Sequence, residues 1–131
     1  MEKHVEKFIL SADSKALATI SSDGLLNVIP VSSVRVFDGK IVLVNYFMQK
    51  TLENLNSNNQ VAFVAWSKMI GYQIKGSVEY QDSGEIFEDV VSWIKETIPG
   101  RVVKGVLIIN PNEVHDIAPD KKTKEHFAAT E

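Results

Sequence analysis

At 131 residues the chain has the length of one domain, and with no cysteine it offers neither a thiolate nucleophile nor a thiolate-ligated metal centre. Hydrophobic residues make up 44% and charged residues 24%, a balance that excludes disordered and fibrous classes. A net charge of −3 points away from nucleic acid and anionic membrane, and the longest apolar runs, 61–66 and 106–109, are too short to span a bilayer, so a cytoplasmic protein is expected.

Val5, Phe8 and Ile9 recur at helical spacing with Glu2, Lys3, Glu6 and Lys7 opposite, predicting a short amphipathic helix that ends near Ser11. Residues 17–20 lead as a strand into an Asp23-Gly24 turn. A Val- and Ile-rich strand spans 25–37, and Asp38-Gly39 hands it on to a third over 40–46, so three antiparallel strands in a meander are expected. Pro30 falls inside the second of them; lacking an N–H, it marks an edge or a bulge. Leu52 and Leu55, followed by Asn and Ser at 56–59, predict a helix of about two turns.

Residues 60–67 and 71–80 form another strand pair, the second alternating Tyr72, Ile74, Gly76 and Val78 with polar neighbours. Gly76 there marks a close approach of backbone or ligand, or a barrel corner. Asp82-Ser83-Gly84-Glu85 reads as a capping box for a helix through Ile94, stopped by Pro99-Gly100. An apolar strand over 102–109 ends at Asn110-Pro111, a shorter one follows around 114–117, and the rest, with Lys121, Lys122 and Lys124, reads as a solvated tail. Six or seven strands with two or three short helices, in no strict alternation, predict a mainly β, antiparallel domain rather than a doubly wound parallel sheet.

Phosphate-loop, G-x-G-x-x-G and G-x-S-x-G motifs are all missing. His4, His115 and His126 lack ligand spacing. Glu113, His115 and Asp116 come nearest to a metal set, but neighbouring strand residues point to opposite faces, so no metal site is expected. The run Met48-Gln49-Lys50-Thr51-Leu52-Glu53-Asn54 is more informative. Thr51 suits an N-cap and Asn54 the third helical position; the free N–H groups and dipole of the helix start, with Lys50 beside them, suit a phosphate. The same residues also suit a plain capped helix with an exposed lysine. In the stretch 27–33, a bulge at Pro30 frees backbone groups that can read a flat heterocycle, or else protects an edge strand from pairing. Tyr46, Phe47, Trp66, Tyr72 and Trp93 read as core or interface, and at the Lys-Thr pair Phe47 or Met48 could instead cover a ring.

In this order, the hairpin from Asp23-Gly24 to Pro30-Val31-Ser32, the turn Asp38-Gly39, the run Met48-x-Lys50-Thr51-x-x-Asn54 and the later Gly71-Tyr72-x-Ile74-x-Gly76 resemble the pyridoxamine 5′-phosphate oxidase-like family of flavin-binding proteins, its small FMN-binding members above all. The resemblance runs from about Leu17 to Ile117. It implies a six- to seven-stranded antiparallel split β-barrel over 1–131, with a helix in 1–15 and a tail over 118–131. It further implies a homodimer with one FMN per subunit in a cleft between the chains. Lys50 and Thr51 would hold the phosphate, with Gln49 and Asn54 supporting that loop and Met48 beside it. Val28, Ile29, Pro30, Val31 and Ser32 would run past the isoalloxazine ring, mainly through backbone, and residues 100–104 would reach the partner's cofactor.

The implied activity is that of an FMN-dependent oxidoreductase, with a reduced nicotinamide or another small donor and no side-chain acid or base. The Arg-Leu-x-Pro segment near the C-terminus of the name-giving oxidases is absent, so pyridoxamine phosphate is not the expected substrate. The alternatives are a flavin-binding electron carrier without turnover, a deazaflavin-binding reductase of the same fold, and a small β-barrel interaction module with no cofactor.

Overall fold

The computed structural model describes residues 1–128, in the order α1 (Lys3–Ser11), β1 (Ser14–Ile20), β2 (Leu26–Pro30), β3 (Val34–Phe37), β4 (Lys40–Asn45), α2 (Gln49–Ser57), β5 (Gln60–Ser67), β6 (Ile70–Gln81), α3 (Glu85–Thr97), β7 (Gly105–Asp116) and α4 (Lys121–Ala128). The seven strands form one antiparallel sheet ordered β2-β1-β5-β6-β7-β4-β3, the sheet of a split β-barrel. None of the described helices is long and apolar enough to cross a membrane.

Two kinds of strand build the core. β5 alternates, sending Val61, Phe63 and Ala65 inward, because only one of its faces is covered. β4 and β7 carry unbroken apolar runs, Ile41–Val44 and Val106–Ile109, because both of their faces are buried. Leu17, Ile41, Leu43, Phe63, Ile74, Leu107 and Ile109 fill the inside of the sheet, closed off by Val5 and Ile9 of α1. Val42, Val44, Val106 and Ile108 point the other way, under Val90 and Ile94 of α3.

Several expectations change here. The stretch 25–37 is two strands, not one, and the meander does not form: β2 and β3 stand at opposite edges of the sheet. Pro30 ends β2 in register with Ala16, so it marks an edge and not a bulge. Beyond it the chain changes partners, since the Val31 N–H still donates to Lys15 O on β1 (3.0 Å) while Ser33 O already accepts from Val44 N–H on β4 (3.3 Å). Residues 30–33 thus form a strap between the two edges.

The last strand starts later than expected and continues through Asn110-Pro111 as a single element to Asp116. It survives its proline because a register shift falls at Lys75/Gly76, opposite Pro111. Gly76 serves a backbone approach there, its Cα facing Asn110 O with no room for a Cβ. The expected capping box does not form: Gly84, at φ 100°, caps α3 without any side-chain bond. The tail contains a fourth helix, α4, whose first turn is held by Asp120 Oδ1 accepting from Thr123 N–H (2.6 Å); residues 129–131 of the expected tail lie outside the described residues.

Candidate functional site

A concavity of about 310 Å³ opens where the strap, the end of β4 and the start of α2 converge. It gathers Ile29, Pro30, Val31 and Ser32 from one side and Met48, Gln49, Lys50 and Thr51 from the other, residues about 19 apart in sequence that the family resemblance implies share one site. Two expected residues are not brought to it. Val28, on edge strand β2, is 66% exposed, and Asn54 is buried on the inner face of α2.

The start of α2 is built differently from the sequence reading. The helix begins at Gln49 with Met48 at the N-cap, and no side chain of the cap residue itself closes it. Thr51 is therefore the third helical residue and not the N-cap, and Asn54 is the sixth and not the third. The capping work passes to Asn45, whose Oδ1 accepts the Met48 N–H at 2.8 Å. Asn45 is a buried hub. Its Nδ2 donates to the Tyr80 hydroxyl at 2.9 Å and its carbonyl accepts from Lys104 N–H at 3.0 Å. The Tyr80 hydroxyl gets that close only because Gly105, paired with Asn45 across the β4–β7 ladder, leaves the space of a Cβ empty.

Thr51 and Asn54 face inward along α2 and tie it to the β1–β2 hairpin. Asn54 Nδ2 donates to Thr19 Oγ1 at 3.0 Å, and Asn27 Nδ2 reaches Thr51 Oγ1 at 3.5 Å. The strap is pinned at its far end by a buried bond between the Ser33 and Tyr46 hydroxyls, 2.8 Å long.

On this frame stand the groups that face the concavity. The first intrahelical bond of α2 runs from Leu52 N–H to Met48 O (3.0 Å), so the N–H groups of residues 49–51 are left without helical partners. Lys50 adds a mobile cation, its side chain 62% exposed and loosely paired with Glu53 at 3.6 Å. Arg101 adds a second, its guanidinium 5.0 Å from the Tyr46 ring centre. It follows Gly100, whose φ of 95° turns the chain back after α3. Residues 100–104 were expected to reach a partner's cofactor; Arg101 borders the concavity of its own chain. Phe47 stands at the rim, 82% exposed, with Lys104 Nζ 5.1 Å from its ring centre. Sequence reasoning missed Asn45 altogether and placed Tyr46 only as core or interface. Elsewhere, Glu113 and His115 approach to 3.6 Å, while Asp116 turns to Lys124 instead.

The concavity therefore combines cations and helix N–H groups with an apolar, backbone-rich wall. That arrangement suits a small molecule with an anionic end and a flat apolar body. The sequence model of a family described as pyridoxamine 5′-phosphate oxidase matches residues 1–124. The chain belongs to this family. It is 31% identical over 121 residues to the protein MJ0282 of Methanocaldococcus jannaschii, a match covering 88% of this chain and 81% of that one. Two solved structures share the fold of this family member. HupZ of Group A Streptococcus has a TM-score of 0.80 at 21% identity, covering 91% of this chain and 95% of that chain. An FMN-binding protein from Syntrophomonas wolfei has a TM-score of 0.79 at 15% identity, covering 89% and 86%.

Proposed function

We propose that the chain binds FMN in the concavity between the strap and α2, and that it acts as an FMN-dependent oxidoreductase with a small electron donor such as a reduced nicotinamide. The carrying observation is the make-up of the concavity: Lys50, Arg101 and the free N–H groups of residues 49–51 line it together with Ile29–Ser32. A phosphate dianion suits the start of α2, where helix N–H groups and the Lys50 charge act together, with Arg101 as a second cation in the same concavity. A planar ring suits the strap, which supplies an apolar surface and backbone groups. When bound, the flavin supplies the redox chemistry that amino-acid side chains lack. None of the described residues that line the concavity is a carboxylate, histidine or cysteine, in keeping with a reaction whose reactive atoms belong to a cofactor. The protein's part is to hold the phosphate, orient the ring and keep one face of it against the strap.

A concavity of about 310 Å³ is at the small end of the ~300–1,000 Å³ that ligand sites occupy. Phe47 at the rim is 82% exposed, and Val28 and Val102, next in sequence to lining residues, are 66% and 72% exposed. A homodimer that covers them would complete the site between two chains. The test is the visible spectrum of the purified protein, mass spectrometry of whatever it releases on denaturation, and light scattering. A flavin spectrum, the mass of FMN and a dimer are expected. The mass of a deazaflavin would move the reading to the reductases of the same fold. A colourless protein that leaves added FMN fluorescence unquenched would overturn it.

A further inference from the structure

The strap has a second side. There a concavity of about 430 Å³ shares Pro30, Val31 and Ser32 with the first and is otherwise walled by the start of β1 and by Trp66 of β5. Two of its groups stand out against their counterparts elsewhere in the chain. Trp93 is occupied, with the Arg35 guanidinium 4.7 Å from its ring centre, whereas the half-buried indole of Trp66 has no ring, cation or side-chain hydrogen-bond partner among the described residues. Lys15 and Lys124 are the described lysines that are not exposed, and Lys124 is ion-paired with Asp116, whereas Lys15 is in no ion pair among the described residues. The Lys15 ammonium spends one donor on Ala12 O (2.9 Å), which leaves two for a ligand. Burial holds its pKa below the ordinary lysine value although the Asp13 charge pulls the other way. A half-buried cation of this kind gains from an incoming anion more than an exposed one does.

We infer that this concavity is a co-substrate subsite distinct from that of a hydride donor, taking a planar aromatic or heteroaromatic one-electron donor or acceptor that carries an anionic group, with its ring against Trp66 and its charge at Lys15. The role as co-substrate rests on the flavin reading; the binding chemistry does not. The strap would then separate two ligands that each lie against its residues, which explains why three of its residues line both concavities. Asp13 at the rim disfavours a dianion and favours a ligand of single charge.

The experiment follows tryptophan fluorescence during titration with naphthoquinone sulfonate, and with uncharged naphthoquinone for comparison, in protein with and without added FMN. Saturable quenching is expected, and Trp66→Phe should abolish it while Trp93 emission remains. Lys15→Gln should weaken the sulfonate by about tenfold and the neutral quinone hardly at all. FMN affinity and the thermal melting point should be unchanged in both variants. If FMN binds but quenching is absent, or is indifferent to Lys15→Gln, the inference falls and the flavin reading stands. Equal weakening of FMN by Lys15→Gln would also overturn it, since the concavity would then belong to the flavin. Quenching that behaves as expected in a protein that binds no FMN would keep the subsite and remove the flavin reading.

Discussion

The frame beneath the concavity and the rim that faces it are built from similar polar residues held in opposite ways. Asn45, Thr51 and Asn54 are each no more than 2% exposed, with side chains committed to partners 3 to 35 residues away. Lys50 and Arg101 sit in solvent, held by one 3.6 Å ion pair and one cation–ring contact. A buried polar group left without its partner costs its full desolvation, whereas an exposed ion pair contributes little. Substitutions in the frame should therefore register as lost stability, and substitutions at the rim as lost ligand affinity with the fold intact.

The largest effect is expected from Asn45→Ala, which strands the Met48 N–H and the Tyr80 hydroxyl together. Urea unfolding should show a loss of about 2–3 kcal/mol with an unchanged slope; a loss below about 0.5 kcal/mol would mean that the hub is decorative. Arg101→Ala should do the reverse. FMN affinity measured by calorimetry should fall about tenfold while the urea midpoint hardly moves. An equal loss in both measurements would erase the distinction between frame and rim.

Tyr46→Phe sits between the two, because it frees the strap without touching the cations. About 0.5–1.5 kcal/mol of stability should go with the Ser33 bond, and FMN affinity should drop by a few-fold as the strap loosens.

The smallest effect belongs to a region outside both, where Lys124 of α4 pairs with Asp116 at the end of β7. Burial pushes the Asp116 carboxyl up, but hydrogen bonds from Lys124 and the Ala118 N–H outweigh it and hold the carboxyl below its ordinary value; the same pairing raises Lys124. A depressed carboxyl stabilises the fold above its unfolded pKa of ~3.9 and ceases to do so as pH falls through the folded value. Lys124→Ala should thus cost no more than about 1 kcal/mol of stability at neutral pH, read by urea unfolding, because solvent reaches both side chains and screens the pair, and the difference should vanish in acid. FMN affinity should not change.

What was legible in the sequence is what depends on neighbours in the chain. Asp38 and Gly39 both adopt positive φ (48° and 75°), as a two-residue hairpin turn requires, and they close β3 and β4 where the turn signal stood. The start of α2 and the strap each lie at a break in regular structure that its own residues announce: a proline in one, a lysine and a hydroxyl in the opening turn of a helix in the other. What was not legible depends on distant partners. Nothing near Asn45 reveals that Tyr80 will arrive over Gly105, and a cap three residues ahead of Met48 escapes a search for a hydroxyl adjacent to the helix. Pro111 looked like a strand end because the shift at Gly76 that accommodates it lies 35 residues earlier. The parting of β2 from β3 to opposite edges is likewise a property of the whole sheet, since the stretch 25–37 alone suits one continuous strand.

The central claim is tested most directly by titrating FMN into wild-type protein and into Lys50→Ala, following flavin fluorescence. Saturable quenching by the wild type is expected, with affinity ten- to a hundredfold weaker in the variant, or about 1.5–3 kcal/mol, at an unchanged melting point. Absence of binding by the wild type, or equal affinity in the two proteins, would contradict a phosphate held at the start of α2.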